Sequence, residues 1–218
     1  MRHLGKTEVL RSAGIATLLT GGACYPRLSI WDRLEGQVAA NLLVLMWCIF
    51  VLWAFVFAWH KEYYQREPIR LDLSWRNWVW IVAAGGLVAV ALRVGLDAWL
   101  REVAPWNFPE SGKEWLAIVL FAVFFGSLFM VFAPFAFFLR LTRRVRVSFG
   151  ATVLGAVGVM MLRYLLMGSD RSAGALALLV LLFAGQTVLA LGLYLRFGAL
   201  AVWVFLFLVE ARHVLDHV

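Results

Sequence analysis

The residues of this sequence that can perform chemistry are few, and they lie within or at the ends of long apolar runs. Glu210, His213 and His217 fall on one helical face near the C-terminus, and carboxylate and imidazole groups of this kind ligate zinc. They form the candidate metal site of the chain, and zinc is the only cofactor that the sequence suggests. The alternative is a solvated helix end, because histidine near the C-terminus of a helix is also favoured by the helix dipole.

Ionisable residues inside apolar runs need an explanation, because a charged group at membrane depth costs about 2.5–3.5 kcal/mol. Arg93 and Asp97 are spaced by one helical turn, so we expect them to pair along one face. The pair is either structural or part of a path for a substrate or protons. Arg163 either extends to the nearby membrane boundary or points inward at a functional position. Gln186 is expected to hydrogen-bond across helices.

Two further features bear on a candidate groove and on catalysis. Pro134 is expected to kink or break its helix and to free a backbone carbonyl, and such breaks often line a site in membrane proteins. The sequence contains no HExxH, GxSxG, Walker or GxGxxG motif, and Ser127 has no base in another apolar run to activate it. We therefore expect no catalytic residue. We place the candidate groove and ion pair at Arg93, Asp97, Pro134, Arg163 and Gln186.

The class of protein that carries these residues follows from composition. Of the 218 residues, 63% are hydrophobic and 15% are charged, whereas soluble domains have about 45–50% apolar and about 25% charged residues. The net charge of +7 comes from short basic clusters between apolar runs, which indicates contact with lipid head groups and argues against nucleic-acid binding. Cys24 and Cys48 form no spaced pair typical of disulfide frameworks or thiolate metal sites. The chain is therefore predicted to be an integral membrane protein in contact with the lipid bilayer.

Apolar runs of about 20 residues cross a bilayer once. They predict an all-α fold, a polytopic transmembrane helix bundle of six to seven helices that forms a single domain over residues 1–218. A seventh helix over Ser12–Tyr25 is one interpretation of the N-terminus. The alternatives are a signal segment and a lipoprotein acylated at Cys24, for which Gly21 is atypical. The six clearest spans are Val38–Trp59, Trp78–Leu100, Trp115–Leu139, Phe149–Met167, Ala173–Leu195 and Phe197–Val209.

The distribution of basic residues predicts an orientation, because Lys and Arg collect in cytoplasmic loops. With seven helices, a cytoplasmic N-terminus places most Lys and Arg residues on that side, including the loops Lys61–Arg76 and Arg140–Arg146. We expect this orientation in a bacterial cytoplasmic membrane. The hydrophilic loops are too short to fold alone, so function is expected in the bundle or on its two faces.

Two segments in the second half of the chain carry a family resemblance. A long apolar helix ends in the basic turn Phe137–Arg144, and the segment Leu191–Leu200 reads LGLYLRFGAL, a Gly-rich turn into a last helix. In this order of features, the stretch Trp115–His217 resembles the CPBP family of intramembrane proteases, which includes CAAX prenyl proteases and bacteriocin-processing relatives. The resemblance implies a helical core over residues 115–217 with a glutamate–histidine site that activates water.

The residues that such a site needs are missing from the matching positions. The paired glutamates of the family would fall near Phe132 and Ala133, its first histidine near Arg163 and its last near Phe207. Phe, Ala and Arg do not act as the base or the metal ligands of that chemistry. We therefore expect a CPBP-like bundle without protease activity that binds membrane partners or lipid-linked molecules. The alternatives are a metal-dependent protease with a shifted Glu/His site near the C-terminus, and a subunit of a transporter or multi-subunit membrane complex.

Overall fold

The computed structural model describes residues 6–30, 37–64, 68–103, 108–167 and 172–216. Within these ranges the regular structure is entirely helical, so the predicted all-α bundle is confirmed. The eight helices in the described part of the chain are α1 (Thr7–Ile30), α2 (Val38–Tyr64), α3 (Trp75–Gly95), α4 (Asp97–Val103), α5 (Gly112–Thr142), α6 (Val145–Met167), α7 (Ala173–Phe197) and α8 (Ala199–Ala211), followed by a 3₁₀ turn over Arg212–Asp216.

Five of these helices, α2, α3, α5, α6 and α7, are long and apolar enough to cross a membrane. Their outer faces expose large apolar side chains such as Trp47, Trp80 and Leu181, which is the surface that lipid requires. Helices can present such a surface because their backbone hydrogen bonds are satisfied internally. The chain is therefore a multi-pass integral membrane protein.

The first and last helices do not belong to this set of five. With 13 residues, α8 is about 20 Å long at 1.5 Å per residue, whereas the hydrocarbon core is about 30 Å thick. The last run, predicted as Phe197–Val209, is therefore too short for a full crossing on its own. Cys24 is buried within α1, and the retained first helix and the acylated cysteine both stay predictions. Seven crossings with a cytoplasmic N-terminus stay a prediction.

The second predicted span, Trp78–Leu100, is not one continuous helix. α3 ends at Gly95, Leu96 leaves helical geometry with φ −134° and ψ −22°, and Asp97 begins α4. Glycine is a poor helix former, and a carboxylate in the first turn of a helix is stabilised by the helix dipole. The boundary between α3 and α4 thus has a local cause, which the hydrophobicity of the run did not indicate.

α3 and α8 run parallel and pack along each other. The amide of Ala199, the first residue of α8, donates to the carbonyl of Pro68 in the segment before α3, at 2.9 Å. Farther along, a Cβ on Gly85 would lie 3.0 Å from the Cβ of Leu208, so the absence of a side chain lets the helices approach closely. Around this pair, α1 packs on α2, α5 on α6, and α6 on α7.

The centre of the bundle is an aromatic core formed by Trp53, Phe57, Phe132, Tyr194 and Trp203, all of them buried. The ring centroids of Trp53 lie 4.9 Å from Phe57 and 5.6 Å from Trp203, and those of Phe132 and Tyr194 are 4.8 Å apart. Aromatic pairs at these distances add about 0.5–1.5 kcal/mol each beyond the burial of their area. The aromatic core therefore holds α2, α5, α7 and α8 together where these four helices meet.

Candidate functional site

An open-sided cavity of about 400 Å³ lies among α5, α6, α7 and α8. Its wall is largely apolar and includes Phe121, Met130, Met160 and Phe183. Apolar cavities of about 300–1,000 Å³ with a few polar groups are typical of small-molecule sites. The polar residues on its wall, among those the structure describes, are Arg27, Ser127, Arg163, Gln186, Thr187, Glu210 and Arg212.

Two of the residues predicted for a groove, Arg163 and Gln186, lie on the wall of this cavity. Arg93 and Asp97 lie beside it, because Asp97 contacts the wall residue Arg212. Pro134 is one turn beyond Met130 and Val131, which are the last lining residues of α5. The structure therefore brings Arg163 and Gln186 to one site and joins Asp97 to it through a residue that the sequence did not single out.

Pro134 was expected to kink or break its helix, and it does not break α5. The helix continues, and it widens to π-helical geometry over Phe121–Gly126 and Leu128–Phe132, directly before the proline. Proline cannot donate a backbone hydrogen bond to the preceding turn, and π-helical turns inside α-helices occur frequently at functional sites. All the α5 residues that line the cavity from Phe121 onward lie in or between these turns, so the distortion shapes the cavity wall.

The hydroxyl groups on the wall are engaged within their own helices. Ser127 Oγ donates to the carbonyl of Val123 and lies 3.2 Å from that of Phe124. Thr187 Oγ1 donates to the carbonyl of Phe183 at 2.8 Å. No histidine or lysine occurs among the lining residues that the structure describes. Among the described lining residues, these hydroxyls therefore have no histidine or lysine as the neighbouring base that converts a hydroxyl into a nucleophile.

Arg212 is held by two strong contacts at the end of α8. Its Nε donates to Asp97 Oδ1 at 3.1 Å, and its Nη1 donates to the carbonyl of Val209 at 2.7 Å. Arg93 Nη1 lies 3.8 Å from Asp97 Oδ2, so the predicted pair exists but is the longer of the two. Asp97 is 2% exposed. We interpret this carboxylate as the link between the α3–α4 break and the C-terminal end of α8.

Glu210 is the single carboxylate on the cavity wall in the described part of the chain, and it lies outside the five candidate spans. Burial raises the pKa of its carboxyl above the ordinary value, the Arg212 charge opposes that shift, and the Asp97 charge adds to it. Its Oε2 is 3.9 Å from Arg212 Nη1. Burial and the nearby Asp97 charge therefore favour the neutral form of this carboxyl group, whereas Arg212 favours the charged form.

The predicted metal site is only partly within the described residues. His213 is buried with its ring edge against Phe108, at 4.7 Å between centroids. Its Nε2 lies 4.0 Å from Glu210 Oε2, which is longer than a hydrogen bond. His217 lies outside the described ranges, and within them no group of three or more His, Cys, Asp or Glu side chains is arranged to hold a metal ion. The zinc site stays a prediction from the sequence.

The three arginines of the wall lie at the same end of the bundle. Arg27 is in the last turn of α1, with its Nη1 3.8 Å from Oε1 of Glu114 in the first turn of α5. Arg163 is one turn before the end of α6, and Arg212 follows α8. This end of the cavity thus has three guanidinium groups and one carboxyl group, that of Glu210, on its wall in the described part of the chain. The cavity is apolar toward the middle of the bundle and lined by ionisable groups toward one side.

Comparisons with family models, curated proteins and solved structures find no match for this chain. The CPBP resemblance therefore depends on the segments Phe137–Arg144 and Leu191–Leu200. Phe132, near which the resemblance would place a catalytic glutamate, is buried in the aromatic core with its centroid 5.2 Å from that of Trp53. Phe207, near which the resemblance would place the last histidine, is an exposed residue of α8.

Proposed function

We propose that this membrane protein is a binding protein without protease activity, and that it holds a lipid-linked or lipid-like molecule in the cavity among α5, α6, α7 and α8. The observation that carries the proposal is the cavity itself. Its volume is about 400 Å³, and its wall is largely apolar with three arginines at one end. Its open side allows a long apolar chain to extend into the surrounding bilayer. This arrangement suits a molecule that is partly apolar and partly polar.

Three features support binding over catalysis. The wall hydroxyls donate within their own helices, no histidine lies among the described lining residues, and an aromatic side chain occupies the glutamate position of the family that the sequence resembles. A general base typically contributes a factor of about 10²–10⁴ to a rate, and losing several members of one catalytic unit leaves little activity. These features support a CPBP-like bundle that binds and does not cleave.

The binding proposal predicts that filling the cavity expels its occupant. Ala156 is a buried wall residue of α6, so Ala156→Phe places a ring in the cavity. We expect purified wild-type protein to retain about one lipid-like molecule per chain by native mass spectrometry, and the variant to lose most of it. Ala177→Phe, at an exposed position of α7, is the matched control and should retain the molecule. Equal retention in all three proteins, with unchanged melting temperatures, would contradict the proposal.

The second prediction is that the protein does not cleave peptides. Purified protein in liposomes with a broad peptide library and added zinc should show no cleavage above the background without protein. Glu210→Ala and His213→Ala provide the matched variants, because these are the described residues of the alternative Glu/His site. Cleavage by the wild type that disappears in either variant would overturn the proposal in favour of a shifted-site protease.

A further inference from the structure

The turn between α5 and α6 carries four arginines within seven residues, Arg140, Arg143, Arg144 and Arg146. We propose that this arginine turn, residues 140–146, binds the head group of an anionic phospholipid in the adjacent leaflet. The arginine turn is separate from the cavity, because the cavity-lining residues of α6 begin at Ala156 and continue toward the other end of that helix. The lipid site at the turn is therefore independent of the function proposed for the cavity.

The charge of the arginine turn is not neutralised by the rest of the described chain. All four arginine side chains are exposed, and none of them forms an ion pair within the described residues. Arg140 lies over the ring of Phe55, with 5.9 Å between its Cζ and the ring centroid. Other basic residues are paired, since Lys61 and Arg70 each contact a carboxylate. The arginine turn therefore presents its charge to a ligand from outside the chain.

The backbone of the arginine turn is held in place by two hydroxyl groups. Thr142 Oγ1 accepts a hydrogen bond from the Arg144 amide at 3.2 Å and lies 3.0 Å from Ser148 Oγ. Ser148 is fully buried, and its Oγ donates to the Arg144 carbonyl at 2.9 Å. A segment that is already ordered loses little conformational freedom when it binds a ligand. These contacts therefore favour binding at the turn.

Arg143 ends α5 in left-handed backbone geometry, with φ 52° and ψ 19°. In the part of the chain that the structure describes, it is the one residue other than glycine with a positive φ. Helices that end in this geometry usually have glycine there, because a side chain is disfavoured in the left-handed region. Arginine at this position therefore lowers stability, and an anionic ligand that needs its charge accounts for its presence.

The position of the arginine turn favours a lipid over a soluble anion. The turn joins two helices that are long and apolar enough to cross a membrane, Gly112–Thr142 and Val145–Leu166, so its arginines lie at the level of the head groups. Beside them, the apolar residues Leu141 and Val147 are 63% and 48% exposed. Guanidinium groups match phosphate oxygens in pairs, and basic clusters next to membrane spans attract anionic lipids. A phospholipid places its phosphate on the arginines and its acyl chains on the apolar side chains.

The test measures lipid binding to the full-length protein in a neutral detergent by native mass spectrometry. The probes are palmitoyl-oleoyl phosphatidylglycerol and palmitoyl-oleoyl phosphatidylcholine, which have the same acyl chains and differ in the charge of the head group. We expect the anionic lipid to bind at least about tenfold more tightly, a difference equivalent to about 1.4 kcal/mol. The triple variant Arg143→Gln/Arg144→Gln/Arg146→Gln should lose this preference.

Two further variants separate the arginine turn from charge in general and from stability. The matched control Lys6→Gln/Arg11→Gln/Arg76→Gln removes the same formal charge from exposed residues outside the turn, and it should retain the preference. Arg143→Gly keeps a left-handed geometry that glycine adopts readily. We therefore expect Arg143→Gly to bind the anionic lipid less tightly while its melting temperature stays equal to that of the wild type or rises.

Other results would overturn the proposal in defined ways. Loss of the preference in the matched control, to the same extent as in the triple variant, would attribute it to surface charge in general. Loss of the preference in Ala156→Phe would place the anionic lipid in the cavity. Glycerol phosphate binding as tightly as the anionic lipid would refute the acyl-chain contact. Displacement of the lipid by an equal concentration of hexaglutamate would identify an acidic protein segment as the occupant. Melting temperatures of all variants show that each is folded.

Discussion

Replacing Asp97 by alanine is expected to destabilise the folded protein by about 3–5 kcal/mol, because it leaves Arg212 buried without its carboxylate. The Arg212 side chain is 9% exposed, and its Nε lies 3.1 Å from Asp97 Oδ1. Only Glu210, at 3.9 Å, is near enough to compensate among the described carboxylates. The measurement is equilibrium unfolding in mixed detergent micelles.

Two controls separate this contact from its neighbour. Arg93→Ala should cost no more than about 1 kcal/mol, because the Arg93 side chain is 31% exposed and 3.8 Å from Asp97. The double variant Asp97→Ala/Arg212→Ala should be more stable than the sum of the single effects predicts, by about 0.5–3 kcal/mol. Strict additivity of the Asp97 and Arg212 substitutions would refute the coupling.

Replacing Gly198 by alanine should cost about 2–6 kcal/mol, from backbone strain of about 1–3 and overpacking of about 1–3 kcal/mol. Gly198 joins α7 to α8 with φ 91° and ψ −177°, a conformation that is essentially restricted to glycine. A Cβ there would lie 2.7 Å from the carbonyl oxygen of Pro68. That oxygen also accepts the hydrogen bond from Ala199, so the substitution should separate the starts of α3 and α8.

The control for this substitution is Gly192→Ala in the same region of the chain. Gly192 is inside α7, and a Cβ added to it meets nothing within 4 Å. Alanine is a better helix former than glycine by up to about 1 kcal/mol, so this variant should be unchanged or slightly more stable. Thermal unfolding of both variants in the same detergent is the measurement. A Gly198→Ala protein as stable as Gly192→Ala would contradict the role given to the turn.

The helical class and most of the spans could be predicted because each depends on a continuous stretch of sequence. The apolar run from Val38 needs no partner to be recognised as a helix, since the bilayer itself selects it. The end of α3 at Gly95 could not be read the same way, because Leu96 continues the apolar pattern although its backbone does not continue the helix. Hydrophobicity reports burial or lipid contact, and it does not report backbone geometry within an apolar run.

The candidate site shows the same division between local and distant information. Arg93 and Asp97 were paired from their spacing of four residues, which any helix brings together. Arg212, the closer partner of Asp97, is separated from it by 115 residues, and only the packing of α8 along α3 brings them together. The π-helical geometry of α5 over Phe121–Gly126 and Leu128–Phe132 is likewise a backbone feature that sequence spacing does not report.

The parallel contact between α3 and α8 has a consequence for the order in which the protein is made. During synthesis α3 emerges and inserts long before α8 exists, and α8 is its main neighbour in the finished bundle. Until the ribosome has delivered Arg212, the counterion that the structure describes for Asp97 within its own segment is Arg93, at 3.8 Å. The weak local pair therefore serves as a temporary partner for the Asp97 carboxylate until α8 packs along α3. The strong pair then closes the bundle as one of the last steps of assembly.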